Sequence, residues 1–481
     1  VRAAEGGWAT VAGTLFTERT ARLLGRSLGM AGAVTATSAA VGVALAWLTV
    51  RCDLPGRRLW RVVAALPLAV PTYVGAFAYV AAFPGLAGSE GAFLTLTLLS
   101  YPYVYLPVVA ALEGLDPALE ETARSLGDGP ARAFVRVTLR QLRPAIATGS
   151  LLVGLYALSD FGAVSIMRFD SFTRVIYQSY QASFDRTPAA ILGCLLLVFT
   201  LAIVVAEGRT RGRARYHAAG GGGGVRRPAP LVRLGRWRWV AVAVPLGVAV
   251  LALAVPAVTM GRWLAEAAQR QLDWERLWRA SRGSLLASAL GAGVTAAAAV
   301  PVALLAARYR TRMARAVERA AYAAHALPGV VIALSLVFFS IRYAAPLYQR
   351  LPVLVFAYLV LFLPLAVSAV YASAVQAPPV LDEVARSLGR RPAAVFRTVT
   401  APLLAPGVAA GAALVFLTCM KELPATLLLG PTGFDTLATR IWTSTSVGAY
   451  GDAALPALVL VVVAAVPTWL LTRRLGAEVA R

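Results

Sequence analysis

The stretch "AALPALVLVVVAAVPTWLLT", Ala453–Thr472, runs for 20 residues without a charge. At about 1.5 Å rise per residue, an uncharged helix of that length matches the ~30 Å hydrocarbon core of a bilayer. The rest of the chain has the same character. Hydrophobic residues make up 59% and charged residues 14% of the 481 positions, against roughly 45–50% and 25% in soluble domains. Apolar runs place spans at 28–50, 60–82, 92–112, 145–167, 188–206, 239–258, 284–307, 320–341, 353–375, 406–429 and 453–472. An all-α, polytopic membrane bundle of about 11 transmembrane helices is therefore expected, inserted in a lipid bilayer. Pro67, Pro71, Pro107, Pro301 and Pro364 fall inside these spans, where neighbouring helices can satisfy the carbonyls a proline frees.

The net charge of +23 invites a nucleic-acid reading, but the distribution of the charges argues against one. They form short clusters between apolar spans, with no basic face interleaved with aromatics. The loops 51–59, 113–144, 207–238, 308–319, 376–405 and 473–481, together with Arg61, hold 30 Lys/Arg residues, and the opposite loops hold 15. By the positive-inside rule the richer set, C-terminus included, lies in the cytoplasm. Residues 208–238, with the run "AAGGGGGV" among arginines, read as a flexible cytoplasmic linker. They separate a first half at 1–207, with about five spans, from a second half at 239–481, with about six. The span at 239–258 has no counterpart in the first half, and the symmetry points to a chain that starts late. Cys52, Cys194 and Cys419, like His217 and His325, are too scattered for a disulfide framework or a metal site.

The two halves share a polar phrase. A shift of 262 residues aligns "LEETARSLGDGPARAFVRVTLRQLRP" (119–144) with "LDEVARSLGRRPAAVFRTVTAPLLAP" (381–406), identical at 14 of 26 positions without a gap. Parallel repeats of this kind build pseudo-symmetric transporter bundles. Each copy reads as a short amphipathic helix, a glycine break and a second helix. Asp116 is the candidate N-cap, Glu120 and Glu121 complement the helix dipole, and Gly127 supplies a positive φ. Leu119, Ala123 and Leu126 fall on one helical face. A third "RSLG", Arg26–Gly29, lacks the Glu-x-Ala lead and sits at the outer edge of the first span, so it is not expected to act as a further copy.

These loops resemble the EAA motif of ABC importer permeases, EAA-x3-G-x9-I-x-L-P. Glu121, Ala123, Gly127, Val137 and Leu139 match in the first copy, and Glu383, Ala385, Gly389, Val399 and Pro402 in the second. Thr122, Val384, Arg140 and Ala401 depart from the pattern. The resemblance implies two type I permease halves whose coupling helices seat in cytoplasmic ATPase subunits. Glu121, Ala123, Leu126, Gly127, Glu383, Ala385, Leu388 and Gly389 would then form the ATPase-coupling surface. It also implies two such ATPase subunits as partners, a periplasmic or lipid-anchored substrate-binding protein, and location in a bacterial inner membrane. The chain has no GxxxxGK[ST] phosphate loop, and its only lysine is Lys421. It is therefore read as a transporter subunit and not an enzyme, with no cofactor of its own and with ATP-Mg bound by the partner ATPase.

Three ionisable residues fall inside spans: Asp160, Lys421 and Glu422. Such residues are functional candidates by default. Asp160 and Glu422 are 262 apart, each in the span after its polar loop; Asp160, Lys421 and Glu422 are read as pathway or gate residues, with pairing of Lys421 to an acid that pins helix packing as the competing reading. The phrases "SDFGAVSIMRFDSFTRVIY" (159–177) and "KELPATLLLGPTGFDTLATRIW" (421–442) resemble the fused permeases of ferric iron importers, and Asp170 and Asp435 recur in both. Iron(III) is the first expectation for the solute, with thiamine or another small solute as the alternative. Sulfate, polyamine and phosphonate systems are less specific rivals. A secondary transporter would use the same intramembrane acids as proton or sodium sites, but would not need paired polar loops on one face.

Overall fold

The computed structural model describes residues 2–182, 186–211, 231–269, 273–309, 311–323 and 327–478. Among them the chain is helical, and the one ladder contact is an isolated bridge between Cys52 and Val232. Most of the basic linker, with His217, and also His325, lie outside the described residues.

Eight helices among the described residues are long and apolar enough to cross a membrane. Arg57–Ala69 and Thr72–Ala82 form a pair bent by 93° at its break, a broken span or a re-entrant loop, and bring the number to nine when counted as one span. Of the two remaining expected positions, one is the shorter apolar helix Gly329–Tyr343, and the other lies within the continuous 29-residue helix Tyr450–Glu478. By length and composition, eight or nine of the eleven expected spans thus qualify among the described residues. Hydropathy alone joined segments that the backbone bends or shortens. The runs 145–167 and 406–429 are not continuous helices either. The first ends at Ser159 and restarts at Gly162–Ile166, and the second ends at Lys421 and restarts at Pro424–Leu429.

The chain divides into two compact units. One comprises Phe16–Arg174, Ala202–Trp263 and Thr468–Arg481. Its longest helix, Glu18–Arg51, is capped by Thr17, whose hydroxyl accepts from Thr20 N at 3.2 Å, and ends on a basic residue as the helix dipole favours. This helix packs against Pro102–Gly114 and Leu139–Ser159. Gly149 permits the crossing of Leu139–Ser159 over Pro102–Gly114, because a Cβ there would stand 2.6 Å from Val104 Cα. Buried tyrosines satisfy their hydroxyls across the core: Tyr101 donates to Ala64 O at 2.8 Å, and Tyr105 and Thr49 share a bond of 3.2 Å. The C-terminal end of the linker, from Leu231, joins this unit as well. Val232 N donates to Arg51 O at 2.7 Å, Asp53 N donates to Val232 O at 3.2 Å, and Leu234 N donates to Asp53 Oδ1 at 2.8 Å.

The other unit comprises Val1–Leu15, Val175–Leu201 and Leu264–Pro467. Trp274–Arg308, N-capped by Asp273, packs against Leu351–Gln376 and Ala401–Lys421. Gly411, the repeat partner of Gly149, again marks a close crossing, with a Cβ placed 3.2 Å from Ala366 Cα. Each unit thus builds a core of three long helices with a small residue at one crossing, the packing expected where lipid supplies no drive for helices to associate.

Candidate functional site: two polar helices and two broken spans

In the first polar loop the helix is Ala118–Ser125. Asp116 does not take the N-cap position, which falls on Pro117. Its carboxylate instead accepts from Ala118 N at 2.9 Å, a local turn that serves the same end of the helix. At the C-terminal end Gly127 adopts φ 95°. Asp128 N donates to Ala123 O at 3.1 Å and Gly127 N to Arg124 O at 3.1 Å, the paired bonds of a Schellman turn. The second loop repeats this arrangement. Its helix is Pro379–Ser387, Gly389 has φ 80°, Arg390 N donates to Ala385 O at 3.2 Å, and Gly389 N to Arg386 O at 2.9 Å.

Burial separates the candidate residues into two faces. Glu121, Leu126, Gly127, Glu383, Leu388 and Gly389 are exposed, with Leu126 at 83% and Leu388 at 76%. Ala385 is buried and Ala123 half-buried. The expected single face of Leu119, Ala123 and Leu126 is therefore split, since the alanine turns inward while both leucines face out. The inward side also carries an acid that the motif does not single out. Glu120 pairs with Arg51 and accepts from Thr138 Oγ1 at 2.8 Å. Asp382 pairs with Arg308 and accepts from Thr400 Oγ1 at 3.0 Å. Thr138 and Thr400 each close a π-helical turn, Phe134–Thr138 and Phe396–Thr400.

Downstream, Asp160 and Glu422 each stand where a long helix breaks. Asp160 takes extended backbone at φ −62°, ψ 131°, and its Oδ1 accepts from Ala163 N at 2.9 Å and Val164 N at 3.3 Å. Thr72 Oγ1 donates to its Oδ2 at 2.5 Å, and Tyr156 OH donates to Thr72 at 3.4 Å. Glu422 is extended at φ −74°, ψ 128°. Its oxygens accept from Ala425 N at 2.8 Å, Thr426 N at 3.0 Å and Thr426 Oγ1 at 2.9 Å. Both acids therefore cap the short helix that restarts the span, supplying acceptors to otherwise unpaired backbone donors. Lys421 is the last residue of its long helix, next to the break. No group of three or more His, Cys, Asp or Glu side chains able to hold a metal ion occurs among the described residues.

The third "RSLG" has a separate use. Arg26 lies over the Phe169 ring, 5.6 Å from its centroid, and 3.9 Å from Asp170, and Ser27 Oγ accepts from Phe172 N at 3.1 Å. In the other unit Ser284 Oγ accepts from Leu437 N at 2.8 Å, and a Cβ on Gly283 would meet Asp435 O at 2.1 Å. In both units the start of a long helix thus receives the loop that follows the broken span.

Taken together, this is a helical membrane protein built of two like halves, each with a polar helix–glycine–helix loop ahead of a broken span. The sequence matches the family described as binding-protein-dependent transport system inner membrane component over residues 38–211 and again over 299–478, and the chain belongs to that family. It is an ABC importer permease, carrying the family's domain twice in one chain. It is 37% identical over 475 residues to the Fe(3+)-transport system permease protein FbpB 2 of Haemophilus influenzae, covering 98% of this chain and 94% of the relative. Shorter matches include a probable sulfate transport system permease protein cysT of Nephroselmis olivacea, 29% identical over 34% of this chain and 65% of the relative. The molybdenum transport system permease protein ModB of Escherichia coli is 34% identical over 25% of this chain and 60% of the relative.

Proposed function

We propose that this chain forms the translocation pathway for ferric iron handed over by an external binding protein, driven by two cytoplasmic ATPase subunits that dock on Ala118–Gly127 and Pro379–Gly389. The observation that carries the coupling is the paired exposure of Leu126 and Leu388 beside glycines in the left-handed region. Large apolar side chains held out on ordered polar loops fit a protein partner better than open solvent. Glu121 and Glu383 add a charged rim to each docking face. The halves are 1–207 and 239–481, joined by 208–238, and the arginine-rich loops with the C-terminus face the cytoplasm.

Iron is favoured because the relative that matches nearly the whole chain carries iron(III) in its name, while the sulfate and molybdenum permeases match a third of it or less. Asp160, Lys421 and Glu422 enter this reading at the breaks of their helices, where a gate would hinge. The carboxylates act there by holding the break in shape and not as iron ligands. Uptake of radiolabelled ferric iron in a strain deleted for this gene tests the proposal. Iron uptake should fall and return on complementation. Undiminished iron uptake with lost thiamine, sulfate or molybdate uptake would move the assignment to that solute.

A further inference from the structure

We infer that Glu120 and Asp382 are positioning residues that clamp each polar helix to two long helices of its own unit, so that a push on the helix is delivered to the spans and not absorbed in the loop. This deepens the coupling reading above and rests on it. The geometry is the same in both units. The carboxylate faces inward, one residue before the exposed glutamate of the motif. It pairs with the arginine that ends the first long helix, Arg51 of Glu18–Arg51 or Arg308 of Trp274–Arg308. It also takes a hydroxyl from Thr138 or Thr400, at the π-turn leading into the helix that later breaks. Three segments therefore meet at one carboxylate in each unit.

Two features argue that position, and not stability alone, is what this cluster provides. First, it is largely shielded from water: the side chains of Arg51 and Glu120 are 5% and 15% exposed, and those of Arg308 and Asp382 19% and 7%. A shielded ion pair is poor value for stability, because desolvation offsets most of the attraction, yet it fixes geometry, because a lone charge left behind is severely penalised. Second, the register differs within the repeat. The acids and threonines are 262 apart, but the arginines are 257 apart. The intervening chain has changed length between the halves, and the three groups still converge. The π-turns agree with this, since such turns often sit at functional points of a helix and here present the threonine to the acid.

The test uses the complete transporter in proteoliposomes, with its ATPase subunits and its binding protein loaded with radiolabelled ferric iron. The paired variant Glu120→Gln with Asp382→Asn keeps side-chain shape and removes the charge. Its yield should fall, because Arg51 and Arg308 lose their acids, but the protein that inserts should still co-purify with the ATPase, because the outward faces are untouched, while its iron retained per ATP hydrolysed falls at least tenfold. The exchange Glu120→Asp with Asp382→Glu, which keeps both carboxylates, should retain more than half of the wild-type ratio. A purely structural role would lower the yield of folded protein and leave the ratio unchanged. A wild-type ratio in the Gln/Asn variant overturns the clamp. A paired Leu126→Glu and Leu388→Glu variant serves as the control for docking. Normal ATPase co-purification and uptake in that variant would overturn the coupling reading, and the clamp with it.

Discussion

The two breaks are closed by different chemistry in the same space, and that difference can be exchanged. In one unit the acid is Asp160, and Thr72, first residue of the helix Thr72–Ala82, donates to it at 2.5 Å. In the other the acid is Glu422, and the residue in Thr72's place is Gly329, preceded like Thr72 by a proline N-cap in extended backbone. A Cβ added at Gly329 would stand 3.4 Å from Glu422 Oε1. The longer acid thus fills room that the threonine occupies in the first unit, and reaches Thr426 Oγ1 at 2.9 Å. Asp160→Glu alone forces a methylene into a filled site, a cost of about 1–3 kcal/mol. Thr72→Gly alone removes a hydroxyl from a carboxyl group, a loss of about 1.5–3 kcal/mol if that group is charged. The double variant recreates the arrangement of the other unit, so the two losses should not add. A coupling of about 1–3 kcal/mol between such neighbours is expected, which corresponds to a few degrees in melting temperature for units of this size. Melting curves of the purified protein in one detergent, for wild type, both singles and the double, give the cycle. A double variant destabilised by the full sum of the singles would refute the exchange and leave Thr72 and Gly329 unrelated to their acids.

Other outcomes follow from the same geometry. Gly127 and Gly389 have positive φ with nothing within 4 Å of an added Cβ, so backbone strain and not space decides what they tolerate. Gly389→Val should abolish ATPase co-purification while Gly389→Asn largely keeps it, and equal behaviour of the two would contradict this. At Gly149 the obstacle is backbone, with Val104 Cα 2.6 Å and Tyr103 O 2.7 Å from an added Cβ. Gly149→Leu should therefore eliminate the monodisperse peak on size-exclusion chromatography. Cys52 lies just past the end of its helix, and burial with the Asp53 charge pushes its thiol up to about 12. At pH 8 almost no thiolate forms, so maleimide should label this position only after denaturant is added; prompt labelling of Cys52 in the native protein would show that the site opens.

The sequence exposed the polar loops because they interrupt apolar runs twice in register, and the glycines at 127 and 389 announced their turns. The long helices were legible only in part: the apolar runs 28–50 and 284–307 marked their cores, while the ten residues before each run, with the caps Thr17 and Asp273, carry charges that hide the helix from hydropathy. The breaks at Asp160 and Glu422 were not legible. Hydropathy is high on both sides of each, and the local signal is slight: Pro424 opens the restarted helix after Glu422, while Gly162 stands at the matching place after Asp160. Those acids stood out as pathway candidates because ionisable residues in spans are rare, whereas their oxygens are engaged in helix caps. Glu120 and Asp382 were overlooked for the opposite reason: each adjoins the glutamate that defines the motif, and helical phase alone does not say which of two adjacent acids points inward. The arginines that meet them lie about 70 residues earlier in the chain, in a register that the repeat does not predict.

Arg51 also carries a second attachment. Its guanidinium holds Glu120, while its carbonyl accepts from Val232 N, near the C-terminal end of the linker. The join at Val232 is main chain to main chain, so it asks almost nothing of the side chains at Leu231–Leu234 and a good deal of their path. One residue therefore fastens the polar helix by its side chain and the returning chain by its backbone, like a rivet through three plates. Any displacement of that rivet is shared by the polar helix and by the backbone at Val232.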